Sequence, residues 1–344
     1  MDCDALADQR VARLIDANLD RAREGLRVVE DWCRFGLERQ DLVIRLKDWR
    51  QKLGLLHRSE YKQARSSATD QAAGLSHPAQ LKRRDPEQVV AANCARVQEA
   101  LRVLEEYSRS DHPQLAAQAA TIRYGLYDLE VEALIESERT GRSELLRNCR
   151  LCLITQPCTD LIQRVGAALQ AGVPMVQYRC KEAEDQQRFA EATELRELCR
   201  THHALFIVND RIDLALAVDA DGVHLGQDDF STQVARRLMG NRRLVGRSTH
   251  NLEEVVRAQN EGCDYLGLGP VHATAVKAER TAIGPELVHK ACEISTIPLF
   301  AIGGINTNNL PTLTAGGCKR VAVIGAIMAA SHPESASIEL LQQL

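Results

Sequence analysis

The chain has 344 residues, 44% of them hydrophobic, which suits about two domains with sizeable cores. Its net charge of −4 divides into −1 for residues 1–148 (24 Lys and Arg against 25 Asp and Glu) and −3 for the remainder (19 against 22), and only 4% of residues are aromatic. Neither a basic nucleic-acid surface nor a stacking platform for single strands fits that balance.

Met1-Asp2-Cys3-Asp4 is acidic and opens no apolar run, so no signal peptide is expected, and the longest apolar stretches are strand-sized, far short of a membrane span. Eleven cysteines, an odd number scattered through apolar segments, predict free thiols in a reducing cytoplasm. The CxxC at Cys149 and Cys152 has no second pair and places Cys152 inside a strand, so buried thiols are expected there rather than a metal site.

Glycine divides the chain, with 6 in residues 1–148 and 15 beyond. Residues 1–147 read as a helical domain built on an internal repeat. Ala17-Asn18-x-x-Arg21-x-x-Glu24-x-Leu26-Arg27-Val28-x-Glu30-x-x-x-Arg34 recurs 75 residues later as Ala92-Asn93-x-x-Arg96-x-x-Glu99-x-Leu101-Arg102-Val103-x-Glu105-x-x-x-Arg109. Leu19, Ala22, Leu26, Val29 and Cys33, matched by Cys94, Val97, Leu101, Leu104 and Ser108, follow the 3–4 spacing of an amphipathic helix with one buried stripe. A second helix follows each copy, near Asp41–Leu56 and Gln114–Glu136, so two helical hairpins should close into a four-helix-type bundle. Arg65–Lys82 between them is polar and reads as a loop. The repeated charges have i,i+3 and i,i+4 partners, which favours a structural role over a ligand or partner surface.

Residues 148–344 alternate short apolar runs with helical patterns such as Asp185–Arg200 and Asn251–Gly262. Eight strands are expected: Arg150–Thr155, Met175–Arg179, Leu205–Asn209, Gly222–Gly226, Leu244–Ser248, Tyr265–Pro270, Pro298–Gly303 and Arg320–Gly325. Eight βα units predict a (β/α)8 TIM barrel, an α/β fold, where five strands would have suited a flavodoxin-like sheet. Polar residues close nearly every strand, as barrel active sites require. Gln177, Arg179 and Lys181 alternate at the end of strand 2, giving three donors to one face that suit phosphate oxygens. Asn209 and Asp210 close strand 3 and Asp229 follows strand 4; two carboxylates on adjacent loops suit a Mg²⁺ that keeps most of its waters. Asp210 and Ser248 could instead cap helices. Gly303, Gly304, Ile324 and Gly325 follow strands 7 and 8, where barrels commonly bind phosphate through backbone N–H groups.

These motifs, in this order over about 195 residues, resemble thiamine-phosphate synthase (thiamine-phosphate pyrophosphorylase), and the first ~145 residues resemble a helical extension found on a subset of those enzymes. The resemblance implies a transferase that joins 4-amino-2-methyl-5-(diphosphooxymethyl)pyrimidine to a thiazole phosphate, or its carboxylated tautomer, with release of pyrophosphate. It implies Mg²⁺ on Asp210 and Asp229, with Asp228 left to solvent. Gln177, Arg179, Lys181, Asn209, Ser248 and Lys277 would address the pyrimidine diphosphate, with Arg179, Lys181 and Lys277 as the catalytic cations. Thr274, Gly304, Ile324 and Gly325 would hold the thiazole phosphate. Two positions depart from the family: Val276 replaces the second hydroxyl of Thr-x-Thr-Lys, and Arg247 stands where an apolar residue is expected, its side chain turned from Ser248 towards a helix or the neighbouring domain. A thiazole tautomerase and a non-catalytic thiamine-phosphate-binding regulator are the alternatives; the first tends to carry His where this chain has Pro270. Small molecules are the expected partners, with no nucleic acid or membrane, and the helical region is open to self-assembly or a pathway partner.

Overall fold

The computed structural model describes residues 3–65, 83, 85–273 and 281–344. The chain separates into two compact units, Met1–Thr140 and Gly141–Leu344.

The first unit is helical: α1 (Cys3–Phe35), α2 (Gln40–Leu55), α3 (Ser59–Gln63), α4 (Pro86–Tyr107) and the first part of α5 (Pro113–Asn148). Asp85 starts α4 by accepting the Gln88 N–H at 2.8 Å, with Pro86 as the first helical residue. Every position of the repeated stripe is buried, from Leu19 to Cys33 on α1 and from Cys94 to Ser108 at α4. With Leu42 and Leu46 of α2 and Ile122, Leu126 and Leu129 of α5, these side chains form one core. At Gly25 a Cβ would lie 2.5 Å from Val97 Cγ2, so α1 and α4 touch more closely than a side chain permits. The repeated charges are largely structural, as expected. Arg50 of α2 reaches Glu30 at 2.5 Å, and Arg123 of α5 reaches the matching Glu105 at 2.9 Å. Arg21, Glu24, Arg96 and Glu99 remain exposed.

Helix α5 runs twelve residues past the expected end at Glu136. Ser137–Arg147 has no apolar period to mark it, but its Glu, Arg and Leu residues are good helix formers.

The second unit closes eight parallel strands in sequence order, β1 (Leu151–Ile154), β2 (Met175–Tyr178), β3 (Leu205–Asn209), β4 (Gly222–Leu225), β5 (Leu244–Thr249), β6 (Tyr265–Leu268), β7 (Leu299–Ile302) and β8 (Val321–Val323), with β8 pairing back to β1. The helices between and after them are α6 (Leu161–Gln170), α7 (Asp185–Thr201), α8 (Ile212–Ala217), α9 (Thr232–Met239), α10 (Leu252–Asn260), α11 (Gly284–Ile294), α12 (Leu310–Ala315), α13 (Gly325–Met328) and α14 (Pro333–Gln342). All eight expected strands are present, most of them shorter by a residue or two, because the polar residues that close them lie beyond the hydrogen-bonded ladder. The strands bury both faces, as a parallel barrel requires. Leu151, Leu153, Val176, Phe206 and Val208 face the helices, while Cys152, Ile154, Met175, Leu205, Ile207, Tyr265 and Phe300 fill the interior.

Candidate active site

The interior is plugged by rings. Tyr265 lies 5.4 Å from the His224 ring and 5.8 Å edge-on from Phe300. Above this floor opens a cavity of about 520 Å³, lined by Gln177, Arg179, Asn209 and Ser248 from β2, β3 and β5, and by Gly303, Gly304, Ile324 and Gly325 after β7 and β8. The sequence-predicted residues that the structure describes therefore gather at one end of the barrel, with four qualifications.

First, Gln177 and Arg179 line the cavity, but Lys181 stands further out, 58% exposed, its Nζ 3.6 Å from Asp210 Oδ2. Strand β2 ends at Tyr178, so the alternation that would aim Lys181 inward has lapsed. Secondly, Asp210 does not cap a helix. It adopts a left-handed φ of 61°, and α8 begins at Ile212 with Arg211 at its N-cap position and no side-chain cap. Nor does Ser248 cap α10, a task taken by Asn251; its Oγ instead meets His224 Nε2 at 3.0 Å. Thirdly, the hydrogen bonds of Arg247 go to the loop between β4 and α9, where it donates to the carbonyls of Phe230 (2.7 Å) and Gln227 (3.5 Å). Its outward turn from Ser248 follows from strand alternation, but its carbonyl partners carry no sequence signal. Fourthly, Thr274, Val276 and Lys277 lie outside the described residues.

Hydrogen bonds pre-set the polar side. Gln177 Nε2 donates to Asn209 Oδ1 at 2.7 Å, which fixes both amides, and the Arg179 N–H donates to Thr155 Oγ1 at 2.9 Å. Asp229 Oδ2 accepts the Gly226 N–H at 2.6 Å. Burial, and then the charge and hydrogen bond of Asp229, push the Asp210 carboxyl above the usual carboxylate range, against the pull of Lys181 and Arg179. Two carboxylates this close form a hard oxygen pair suited to a divalent cation. Asp228 is exposed beside them. Arg188 of α7, for which the sequence pattern gives no signal, donates to the carbonyls of Cys180 and Lys181 and so holds the loop that carries the lysine.

On the glycine side, Gly303 and Gly304 take φ values of 104° and 65°, and a Cβ at Gly304 would meet His272 Cβ at 2.8 Å and the Ala273 carbonyl at 3.1 Å. Only glycine brings the backbone to the cavity there. The CxxC thiols behave as buried groups: burial lifts Cys149 to about 12 and Cys152 well above its ordinary value. No group of three or more metal-ligating side chains occurs among the described residues, and no described helix is long and apolar enough to cross a membrane.

Comparison with known proteins places this geometry in a family. A family model described as thiamine monophosphate synthase matches residues 151–327, and one described as the ThiD2 family matches residues 13–132. The thiamine-phosphate synthase of Parasynechococcus marenigrum is 65% identical over 344 residues, covering 100% of this chain and 99% of that one. That of Synechocystis is 48% identical over 334 residues, covering 97% and 96%. Among solved structures, a thiamine phosphate pyrophosphorylase from Pyrococcus furiosus superposes with a TM-score of 0.55 at 38% identity, covering 58% of this chain and 96% of its own. With a barrel, a polar mouth and relatives matched from end to end, the chain belongs to the thiamine-phosphate synthase family.

Proposed function

We propose that the barrel mouth joins 4-amino-2-methyl-5-(diphosphooxymethyl)pyrimidine to a thiazole phosphate, forming thiamine phosphate and pyrophosphate, and that residues 148–344 are the synthase domain. The observation that carries this reading is a single cavity with two unlike ends: amides, a guanidinium and a hydroxyl from β2, β3 and β5, and glycine backbone after β7 and β8. One end suits a pyrimidine bearing a diphosphate, the other a monophosphate whose charge is constant.

In this reading the Gln177–Asn209 pair and Ser248 orient the aminopyrimidine, and the paired amides lose little freedom when it binds. Arg179 and Lys181 meet the diphosphate, whose charge grows as its carbon–oxygen bond breaks. Charge-assisted contacts of that kind contribute about 1.5–3 kcal/mol each. Loss of pyrophosphate leaves a methylene cation stabilised by the electron-rich ring, and the thiazole nitrogen attacks it. The protein's work is therefore positioning and leaving-group stabilisation, with no nucleophilic Ser or Cys. The Asp210–Asp229 pair would hold Mg²⁺, which when bound neutralises diphosphate charge. Gly304, Ile324 and Gly325 offer their backbone to the thiazole phosphate, while Thr274 and Lys277 keep the phosphate-binding roles implied by family resemblance. Free thiols among the described cysteines suit a reducing cytoplasm.

A single-turnover assay of the full chain with both substrates and Mg²⁺ tests the proposal. Pyrophosphate release in step with thiamine phosphate formation is expected; binding of both substrates without release would make the protein a sensor instead.

A further inference from the structure

The loop between β4 and α9 carries Asp229, and several hydrogen bonds converge on it. From inside, Asp229 Oδ2 closes on the Gly226 N–H at 2.6 Å. The Gln227 side chain is held at both ends, its Nε2 on the Ser248 carbonyl and its Oε1 on Arg257 Nη2 at 2.7 Å. From beneath comes Arg247 of β5, only 7% exposed. Among the described residues its hydrogen bonds go to main-chain carbonyls, those of Gln227 and Phe230, and not to a carboxylate. These carbonyls stand on either side of Asp228 and Asp229, so one planar fork grips both ends of the arc from which the carboxylate projects.

A buried guanidinium is costly to desolvate, and an apolar side chain would fill an outward-facing barrel position without that cost. What the guanidinium adds is a fixed span between two carbonyls that nothing else on β5 reaches. Replacing the outer partners that orient a metal-binding carboxylate typically costs about 10–100-fold in metal affinity or activity.

We propose that Arg247 is a positioning residue: by clamping the carbonyls of Gln227 and Phe230 it sets the shape of the Asp229 loop and thereby the affinity of the Asp210–Asp229 pair for a divalent cation. The affinity part rests on the metal-site reading above; the clamp itself does not. Arg188 likewise donates to the carbonyls of Cys180 and Lys181 in the loop after β2, although it also pairs with Asp185.

The test uses the full-length protein with Arg247→Met, Arg247→Lys and, as a metal-site control, Asp229→Asn. Amide hydrogen exchange of residues 226–231 reads the clamp directly. It should quicken at least several-fold in Arg247→Met with the remaining strands unchanged, and by less in Arg247→Lys, whose ammonium lacks the fork. Should Arg247→Met not fold, the lysine variant decides alone by the same local signature. Mn²⁺ binding in the presence of pyrophosphate, followed by electron paramagnetic resonance, should weaken about tenfold in Arg247→Met and about threefold in Arg247→Lys. The Mg²⁺ concentration for half-maximal turnover should rise in parallel, and kcat at saturating Mg²⁺ should stay within about threefold. Unchanged exchange at 226–231 in a folded variant overturns the proposal. Faster exchange with unaltered Mn²⁺ binding also overturns it if Asp229→Asn does weaken binding. If Asp229→Asn leaves Mn²⁺ binding intact, it is the metal-site assignment that fails, and the exchange result still decides the clamp.

Discussion

Replacing Gly304 by alanine separates backbone strain from crowding, because the same barrel contains a glycine that suffers only the first. Gly317 has a φ of 87° and open space within 4 Å of the point a Cβ would occupy. Gly304, at 65°, would instead drive its Cβ to 2.8 Å from His272 Cβ and 3.1 Å from the Ala273 carbonyl. A left-handed conformation costs a non-glycine residue about 1–2 kcal/mol. Overpacking against fixed neighbours adds about 1–3 kcal/mol. Taking the middle of each range, Gly317→Ala should destabilise by about 1.5 kcal/mol and Gly304→Ala by about 3.5 kcal/mol. At roughly 2–4 °C per kcal/mol for a unit of this size, the melting shifts are about 3–6 °C and 7–14 °C. Only Gly304 faces the cavity, so only its variant should also raise KM for the thiazole phosphate, by about tenfold, which corresponds to about 1.4 kcal/mol. Its kcat should stay within about threefold, since the monophosphate charge does not change during reaction. Calorimetric melting and steady-state kinetics of both variants measure all four quantities. Equal melting shifts, or a KM effect at Gly317 and none at Gly304, would refute the reasoning.

At the metal pair, Asp210→Ala and Asp229→Ala should each raise the Mg²⁺ needed for half-maximal pyrophosphate release by about tenfold or more, while Asp228→Ala stays near wild type; equal damage at Asp228 would mean that the loop presents the other carboxylate. In the helical unit, Gly25→Ala should lower stability by about 1–3 kcal/mol despite the better helix propensity of alanine, because Val97 is β-branched and packed at the contact; a rise in melting temperature would show that α1 and α4 can part cheaply. Burial alone would raise the Asp16 carboxyl, but hydrogen bonds from Arg65 and His57 bring it below the ordinary aspartate value. Its folded-state pKa is thus depressed, so its contribution to stability is present above the unfolded-state pKa of about 4 and is lost as pH falls through the depressed value. Asp16→Asn should flatten the fall in melting temperature below pH 4, and an unchanged acid slope would remove Asp16 from the account.

The barrel is legible because each strand is a short apolar run ended by a polar residue, and that punctuation also marks the site. Gln177, Asn209 and Asp210 need no more than this pattern and their order. The repeat places the buried stripes of α1 and α4 correctly, since a 3–4 period is itself the geometry of burial. Contacts made through main-chain atoms are not legible. Arg247 grips carbonyls, which every residue possesses, so no partner letter exists to find; Asp185 marks an ion pair for Arg188 but not the carbonyls of Cys180 and Lys181 that it also holds. The outward stance of Lys181 depends on where β2 stops, and a single residue there decides whether alternation still applies. The tail of α5 escapes for a related reason: a helix without a buried stripe has no period to read.

The twin ion pairs of the helical unit have an environmental consequence. Glu30 meets Arg50 at 26% exposure and Glu105 meets Arg123 at 10%, while each glutamate also reaches outward, Glu30 to Arg27 and Glu105 to Arg102 and Arg109, all three about half exposed or more. Dissolved ions screen exposed charges beyond a Debye length of about 8 Å at physiological ionic strength and about 3 Å at 1 M, and screen enclosed ones far less. Brine should therefore weaken the outer contacts of Arg27, Arg102 and Arg109 and spare the inner contacts of Arg50 and Arg123 that join the helices. Each glutamate thus holds a wet partner and a drier one, so both halves of the repeat should keep their joints in salt while their surface charges let go.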